Sequence, residues 1–530
     1  MVSRGLWVRV IVGTMPVTRR RFLQHTSVFI AATLVRPSRS FAQARFNNDP
    51  YTLGVASGYP HAGGMTLWTR LAPEPLNGGG MPPIPVAVAW EVSADENFHK
   101  ISARGTTAAL PHWAHSVHVD VDGLDPARTY WYRFRSGDAV SPSGRTRTAP
   151  ARDAANGRLR FAFAACQQYE QGYYVAYRHM AREDLDLIVH LGDYIYEATW
   201  GRNLVRTHAT GQTFTLSEYR NRYGLYKSDT DLQRAHAACP WIVTWDDHEV
   251  QNDYANDRSQ DLDPRDAFLE RRAAAYQAYY EHMPLPHWAR PHGPDMRLHT
   301  AAPFGQLVNF FVVDARQYRS HQVCARPGRG GSNVVRDEDC PERLDPALTM
   351  LGAVQEEWLH ERLGRSRARW NVIAQSTLMA QADRRPGPGA DYWTDGWDGY
   401  PRARARLLDS LVAHRVSNPI VIGGDVHMSA VTDLKADFND LKSPVLAAEF
   451  VCPSITSQGP SVKRVELLLQ ENPHIKFANG ARHGYTAIDL TSTRCTARIR
   501  TVASVVEQDS ALRNLAIYAV EDGTAGAQRF

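Results

Sequence analysis

The sequence predicts an α/β protein of layered sheets flanked by helices, preceded by a small β-sandwich domain. From residue 159 onward, apolar strand-like runs alternate with helical stretches, a pattern typical of layered α/β domains. Residues 46–148 instead contain short β-type runs separated by Gly/Pro turns. The chain has 530 residues, enough for two domains, and 43% of them are hydrophobic, which excludes a disordered protein.

The first 44 residues differ from the rest in charge. They carry seven arginines and no acidic residue, so their removal would change the formal net charge from +4 to −3. The basic character of the chain therefore belongs to a removable segment. For this reason we expect no stable complex with nucleic acid.

The same segment has the order of parts of a secretory signal. Arg19-Arg20-Arg21-Phe22-Leu23 precedes an apolar stretch at 27–35, and Ala42-Gln43-Ala44 offers a small-x-small cleavage site. The arginine pair resembles a bacterial twin-arginine (Tat) signal, which implies export by the Tat machinery to the periplasm or the extracellular space. A basic amphipathic helix is the alternative. Neither this stretch nor any later apolar run is long enough to span a bilayer, so we expect no membrane span in the mature form.

Residues 46–148 form the predicted N-terminal domain. Its strand candidates are at 66–69, 86–92, 116–121 and 130–135. The stretch 124–133 resembles the late strands of a fibronectin type III-like domain, which implies that Leu124 and Tyr130 pack in its core. His112, His115 and His118 recur every three residues, whereas strand side chains alternate with period two, so we expect surface histidines rather than a metal site.

Residues 150–157 are a predicted linker, and 158–520 form the predicted second domain. Strands are predicted at 161–165, 185–191, 241–245, 307–313, 370–375 and 419–422, and helices at 174–183, 267–282 and 401–414. Cys324 and Cys340 flank a Gly- and Arg-rich loop and are candidates for a disulfide in an oxidising exterior. The other four cysteines lie in or beside apolar runs, which is typical of the core.

Four of the predicted strands run directly into side chains able to bind a metal. The strand at 161–165 leads to Cys166, and the one at 185–191 leads to Asp193 and Tyr196. The strand at 241–245 leads to Asp247 and His248, and the one at 419–422 leads to Asp425 and His427. Because the carboxyl ends of strands line the ligand crevice in α/β domains, we expect these groups to meet.

These groups suit phosphoester hydrolysis at a metal cluster. Bound metals neutralise the phosphate charge and lower the pKa of water. Phenolate and thiolate donors stabilise a trivalent ion such as iron, and an extra carboxylate favours a hard ion such as calcium. A histidine beside a bridging carboxylate can protonate the leaving oxygen.

The motifs resemble those of known phosphoesterases. Gly192-Asp193-x-x-Tyr196 is similar to a motif of purple acid phosphatases, and Asp247-His248-Glu249 and Gly424-Asp425-x-His427 are similar to motifs of calcineurin-like metallophosphoesterases. With Cys166-Gln167-Gln168, the run 245–249 with Asn252 behind it, and the run 313–319, the whole chain resembles the PhoD-type alkaline phosphatase/phosphodiesterase family. This implies a metallophosphoesterase-type layered β-sandwich flanked by helices, hydrolysing phosphomonoesters and phosphodiesters.

The resemblance also implies an iron–calcium cluster and a set of site residues. The implied metal ligands are Cys166, Asp193, Tyr196, Asp247, Asn252, Asp425 and His427. The first three would hold the ferric ion (Fe3+), and Asp193 would bridge to a second metal (Ca2+). His248 would contact phosphate or act as general acid in an in-line attack by a metal-activated oxygen. Arg316 would clamp phosphate, with an ion pair to Asp314 as the alternative.

Two other functions remain open on the sequence alone. One is a purple acid phosphatase-like enzyme with another metal pair, against which Cys166 and Asp247 count. The other is an envelope protein whose fibronectin-like module binds a phosphate-rich polymer, with a metal site that is only structural. Structural metal sites are usually closed, and His248 beside an open cluster argues against this alternative.

Overall fold

The computed structural model describes residues 45–530, and the predicted export signal at 1–44 lies outside the described residues. Its strands, β1 to β24, are numbered along the chain. The largest sheet has ten strands, which are in spatial order β24 (Gln528–Arg529), β23 (Leu512–Glu521), β22 (Arg494–Val502), β21 (Gly484–Thr491), β9 (Arg158–Ala164), β10 (Leu187–His190), β11 (Trp241–Val243), β1 (Val55–His61), β2 (Gly64–Arg70) and β5 (Ser116–Val121).

A second sheet of seven strands packs on the first. Its spatial order is β12 (Thr300–Phe304), β13 (Val308–Val312), β15 (Trp370–Ala374), β17 (Pro419–Gly423), β19 (Val445–Val451), β18 (Ser429–Lys435) and β20 (Ile475–Asn479). The smaller elements are the sheet of β4 (Ile101–Ala109), β3 (Val86–Ser93), β6 (Thr129–Ser136) and β7 (Ala139–Val140), with β8 (Gly144–Arg147) also paired to β6, and the pair β14 (Val334–Arg336) and β16 (Asp391–Trp393).

Residues 45–530 contain seven α-helices, which we number along the chain. They are α1 (Val175–Met180), α2 (Leu216–Lys227), α3 (Thr230–Ala238), α4 (Arg265–His282), α5 (Ala353–Arg365), α6 (Pro401–Ala413) and α7 (Val462–Glu471). Helix α2 begins with a capping box, in which Thr215 and Glu218 bond each other's backbone N–H groups. Within the described part of the chain, none of these helices combines the length and apolarity that crossing a membrane requires.

Side chains alternate between the two faces of each sheet, and both faces of the second sheet pack against other layers. In the second sheet, Phe310 and Ile422 face the first sheet, and the ring of Phe310 lies 5.1 Å from that of Phe161 on β9. Their neighbours Phe311 and Val421 face the opposite way and share a core with α5 and α6. Because successive strand side chains point to opposite faces, nearly continuous apolar runs are buried on both sides. The predicted layered fold is confirmed.

The N-terminal β-sandwich is also present, but one of its sheets is not separate. Strand β1 pairs in parallel with β11, with Gly58 opposite Trp241, so β1, β2 and β5 extend the ten-stranded sheet. The other sandwich sheet packs on β2 and β5 through a common apolar core. Leu124 and Tyr130 are buried in that core, as predicted.

Two of the three N-terminal histidines are wrongly predicted as surface residues. His115 and His118 are buried, and their ring nitrogens lie 3.0 Å and 2.9 Å from the carbonyl oxygens of Ile84 and Leu285. The ring of His118 stacks on Tyr280 at 4.2 Å. These contacts come from segments far along the chain, and strand periodicity therefore does not reveal them.

The cysteines are distributed as the sequence suggests. Cys324 and Cys340 form a disulfide, and Cys166, Cys239, Cys452 and Cys495 are free and buried. The disulfide closes a loop with a sequence separation of 16. It restricts the unfolded chain and thereby stabilises the folded one.

Replacing both bridged cysteines with serine is therefore expected to destabilise the protein. We expect the free energy of unfolding to fall by about 2 to 3 kcal/mol, because the unfolded loop regains its conformational freedom. Urea denaturation of wild type and of Cys324→Ser/Cys340→Ser measures this. A reducing agent should lower the free energy of unfolding of the wild type to that of the variant, and it should leave that of the variant unchanged. Equal stability of both proteins without reductant would contradict the expectation.

Candidate metal centre

The parallel strands of both sheets bring the predicted donors to one edge. Strands β9, β10 and β11 run parallel in the first sheet, and β13, β15 and β17 run parallel in the second. Cys166, Asp193, Asp425 and His427 follow these strands with φ values of 60°, 56°, 61° and 51°. Such left-handed backbone costs about 1–3 kcal/mol per non-glycine residue and clusters at functional sites.

The loops after β10 and β11 are held against each other. Gly192 has a φ of 110°, and a Cβ atom there would lie 2.4 Å from the backbone nitrogen of Asp246, so only glycine permits this approach. The buried Glu249 carboxylate fastens both loops. It accepts the backbone N–H groups of Asp193, Tyr194 and Asp246 at 3.2, 2.6 and 2.8 Å.

Asp193 belongs to three groups of possible metal ligands. It lies with Cys166 and His427 in one group, with Asp247 and His248 in another, and with Asp246 and Asp425 in a third; within each group the candidate ligand atoms are within 4.8 Å of one another. Asp193 Oδ2 accepts the Tyr196 hydroxyl at 2.7 Å, whereas Oδ1 is buried without a hydrogen-bond partner. A carboxylate with one free oxygen amid other donors is available to a cation.

Tyr196 and His427 are oriented toward this carboxylate. The Tyr196 oxygen lies 3.1 Å from His427 Nε2 and accepts the Ser457 hydroxyl at 2.8 Å. His427 Nδ1 lies 3.2 Å from the Gln458 carbonyl oxygen, and its ring stacks on Trp200 at 5.3 Å. A carbonyl at Nδ1 fixes the tautomer and leaves Nε2 as the donor atom for a metal.

Cys166 and Tyr196 need a cation to ionise. Burial, followed by the charge of Asp193, holds the pKa of the Cys166 thiol and of the Tyr196 phenol well above their ordinary values. A bound metal would stabilise the thiolate and the phenolate. Asp247 Oδ1 and Asp246 Oδ2 are likewise buried without a hydrogen-bond partner. The donor set and these unpaired oxygens fit a metal cluster.

His248 has a carboxylate partner of its own. Its Nδ1 lies 2.7 Å from Glu197 Oε2. Burial lowers the pKa of His248, but Glu197, then Asp247 and Asp193, outweigh it and hold the pKa well above its ordinary value. For Asp247, burial raises the pKa, but Arg316 and His248 outweigh it and keep the carboxyl ionised. His248 therefore presents a protonated imidazole beside the ionised carboxylate of Asp247.

Arg316 does not face the cleft in the way the sequence suggested. It is 1% exposed, and its Nε and Nη1 lie 2.5 and 2.8 Å from carboxylate oxygens of Asp246 and Asp395, with Nη2 3.5 Å from Asp247. The alternative partner, Asp314, accepts the backbone N–H of Arg316 and the Trp245 indole N–H. This geometry argues against phosphate binding and makes Arg316 a support for the carboxylates.

Asn252 and Asp425 line the same cleft as Asp247 and His248, which has a volume of about 670 Å³. The Asn252 amide nitrogen donates to Gln260 at 3.0 Å, which leaves the amide oxygen for another contact. Asp425 Oδ2 accepts the Thr377 hydroxyl at 2.6 Å.

Sequence reasoning missed several residues of the site. Asp253 and Asp395 form a further group with Asp247, all three buried, and Arg319 bonds Asp395 at 2.6 Å. Glu197, next to Tyr196, and Asp246, next to Asp247, could have been found by their place in the motifs. Asp395 lies in an aromatic loop with no such signal, and only the tertiary structure identifies it.

Known proteins match this chain over nearly its whole length. The family described as PhoD-like phosphatase matches residues 161–499, and its N-terminal domain matches residues 36–150. Alkaline phosphatase D of Bacillus subtilis (strain 168) is 44% identical over 528 residues, covering 96% of this chain and 89% of that protein. A solved structure described as that of PhoD is 45% identical, with a TM-score of 0.88 over 92% of this chain and 93% of that one. This chain therefore belongs to the PhoD-like phosphatase family.

Proposed function

We propose that this phosphatase acts on both phosphomonoesters and phosphodiesters at an iron–calcium cluster, as an exported enzyme. Its parts would be the Tat signal at 1–44, the sandwich at 46–148 and the phosphatase domain at 158–520. The observation that carries the proposal is the buried Asp193 carboxylate, which is shared by three groups of donors and keeps Oδ1 free of hydrogen bonds.

The chemistry of the donors supports a division between two kinds of ion. Cys166, Tyr196 and Asp193 offer thiolate, phenolate and carboxylate, which suit ferric iron. Asp247, Asn252 and Asp425 offer only oxygen, which suits calcium, and His427 completes the set beside Tyr196. The metals, when bound, neutralise phosphate charge and supply Lewis acidity.

The protein's own side chains supply the proton for the leaving alcohol. His248 carries its ring on the cleft side, while Glu197 at Nδ1 keeps the imidazole protonated and fixes its orientation. Nε2–H is then free to donate to the leaving alcohol oxygen as the ester bond breaks. Asn252 N–H donates to the other Glu197 oxygen at 2.9 Å, which holds that carboxylate in place.

Removal of the Glu197 charge should show in the pH dependence. In Glu197→Gln the pKa of His248 is expected to fall, because the carboxylate that favours the imidazolium is lost. The alkaline limb of kcat should move to lower pH, since His248 would lose its proton earlier. Rates across the pH range measure this. Glu218→Gln, which alters a capping carboxylate on α2, is the control and should keep the wild-type limb.

The proposed function is tested with a chromogenic phosphomonoester and its diester at alkaline pH, with calcium and then with a calcium chelator. Turnover of both esters, lost on chelation and restored by calcium, together with iron in the purified protein, is the expected result. Iron with zinc and an acidic optimum would support the purple acid phosphatase-like alternative instead. Saturable binding of a phosphate polymer without turnover would support the envelope-binding alternative.

A further inference from the structure

The cleft beside the metal centre has an apolar extension. Beyond Asp247, His248 and His427, the walls of the 670 Å³ cavity continue along α7 and the loop before α6. We define the apolar shelf as Leu378, Trp393, Val426, Met428, Leu467 and Leu468. Leu378 and Met428 are buried, and the other four are half-buried at the cavity wall.

A second cavity meets the first at the same centre. It has a volume of about 400 Å³ and shares His248, Asn252 and His427 with the cleft. Six of the eight other residues that line it have polar side chains, among them Glu197, Gln251 and Arg329. A phosphodiester carries two alcohols on one phosphorus, so two unlike cavities that meet at one centre fit two unlike alcohols.

Two arginines lie on the shelf side, where the cavity is also lined by Asp391, a carboxylate two residues before the shelf residue Trp393. Arg384 lies with its guanidinium carbon 5.0 Å from the centre of the Trp393 ring, and Arg464 is exposed on the first turn of α7. Both arginines line the cavity that holds the shelf. An ester that carries its phosphate charge next to an apolar chain satisfies both features of this wall.

From this we infer that the shelf binds an apolar ester substituent, so that the preferred substrates are phosphodiesters with one apolar and one polar alcohol. The inference rests on the proposed function and deepens it, because it concerns the same centre. Leu467 and Leu468 would be specificity-determining residues. They contact the substituent and have no part in holding metals or moving protons.

Alkylphosphonates test the shelf without any need for turnover, because the P–C bond is not hydrolysed. Calorimetry of the holoenzyme with hexylphosphonate and methylphosphonate gives both affinities. The wild type should bind hexylphosphonate at least about tenfold more tightly, since burial of several methylenes is worth that much. In Leu467→Gln/Leu468→Gln the ratio should fall toward one while methylphosphonate affinity stays the same.

The control is Val462→Gln, which places the same polar group on α7 at a residue that is 59% exposed and does not line the cavity. This variant should keep the wild-type ratio. Equal affinity of the wild type for both phosphonates, or a ratio unchanged in the double variant, would overturn the inference. Failure of the proposed function is distinguishable, because it appears as absent turnover of both chromogenic esters whatever the phosphonates do.

Discussion

Replacing Asp193 with asparagine is expected to lower kcat/KM for phosphate esters on the order of 10³-fold or more, because the proposed metal centre would lose its shared anionic ligand. Asparagine has nearly the same shape, and its amide oxygen can still accept the Tyr196 hydroxyl that Asp193 accepts at 2.7 Å. The apoprotein should therefore remain folded. Kinetics on the chromogenic monoester, with the metal content of the variant, give the result.

Thermal unfolding distinguishes a loss of metal binding in Asp193→Asn from a general folding defect. A chelator should lower the Tm of the wild type, since a ligand that binds the folded state stabilises it, and should leave Asp193→Asn nearly unchanged. Asp509→Asn removes a fully exposed carboxylate and is the matched control. Its Tm should respond to the chelator as that of the wild type does. An Asp193→Asn enzyme with full activity and full metal content would show that the centre does not depend on this carboxylate.

Replacing Arg316 with methionine is expected to cost about 3–5 kcal/mol of folding free energy in the presence of a chelator, because Asp246, Asp247 and Asp395 lose a buried cation. The Arg316 side chain is 1% exposed and pairs with Asp246 at 2.5 Å and with Asp395 at 2.8 Å. Methionine has a similar length and leaves no large cavity. Denaturant titration of the metal-free proteins measures the loss.

The same variant tests the role that the sequence suggested for Arg316. A phosphate-binding arginine would leave stability unchanged and raise KM, whereas a support for carboxylates lowers stability first. Arg182→Met, on an exposed arginine two residues after α1, is the control and should lose little stability. A stable Arg316→Met with a high KM would restore the phosphate-clamp interpretation.

Much of the fold follows from local sequence. The predicted strand at 161–165 overlaps β9, and those at 185–191 and 241–245 contain β10 and β11, because apolar runs of this length bounded by turns are buried strands. The helix predicted at 267–282 is α4, which begins two residues earlier. Helices α2, α3, α5 and α7 were not predicted. Helix α2 is polar on average and does not separate apolar from polar residues onto opposite faces, so its sequence lacks the helical pattern.

The candidate site, too, was predictable only in part from the sequence. The sequence by itself determined which donors follow which strands, since strand ends in parallel sheets share one edge, and it thereby placed Cys166, Asp193 and His427 together. Only the tertiary structure decided that one guanidinium pairs with Asp246, Asp247 and Asp395, and which of the buried carboxylates keep an oxygen without a hydrogen-bond partner. That choice depends on Arg316 meeting Asp395, 79 residues away, in a dry interior. Ion pairing there is set by distance and burial, which local patterns do not encode.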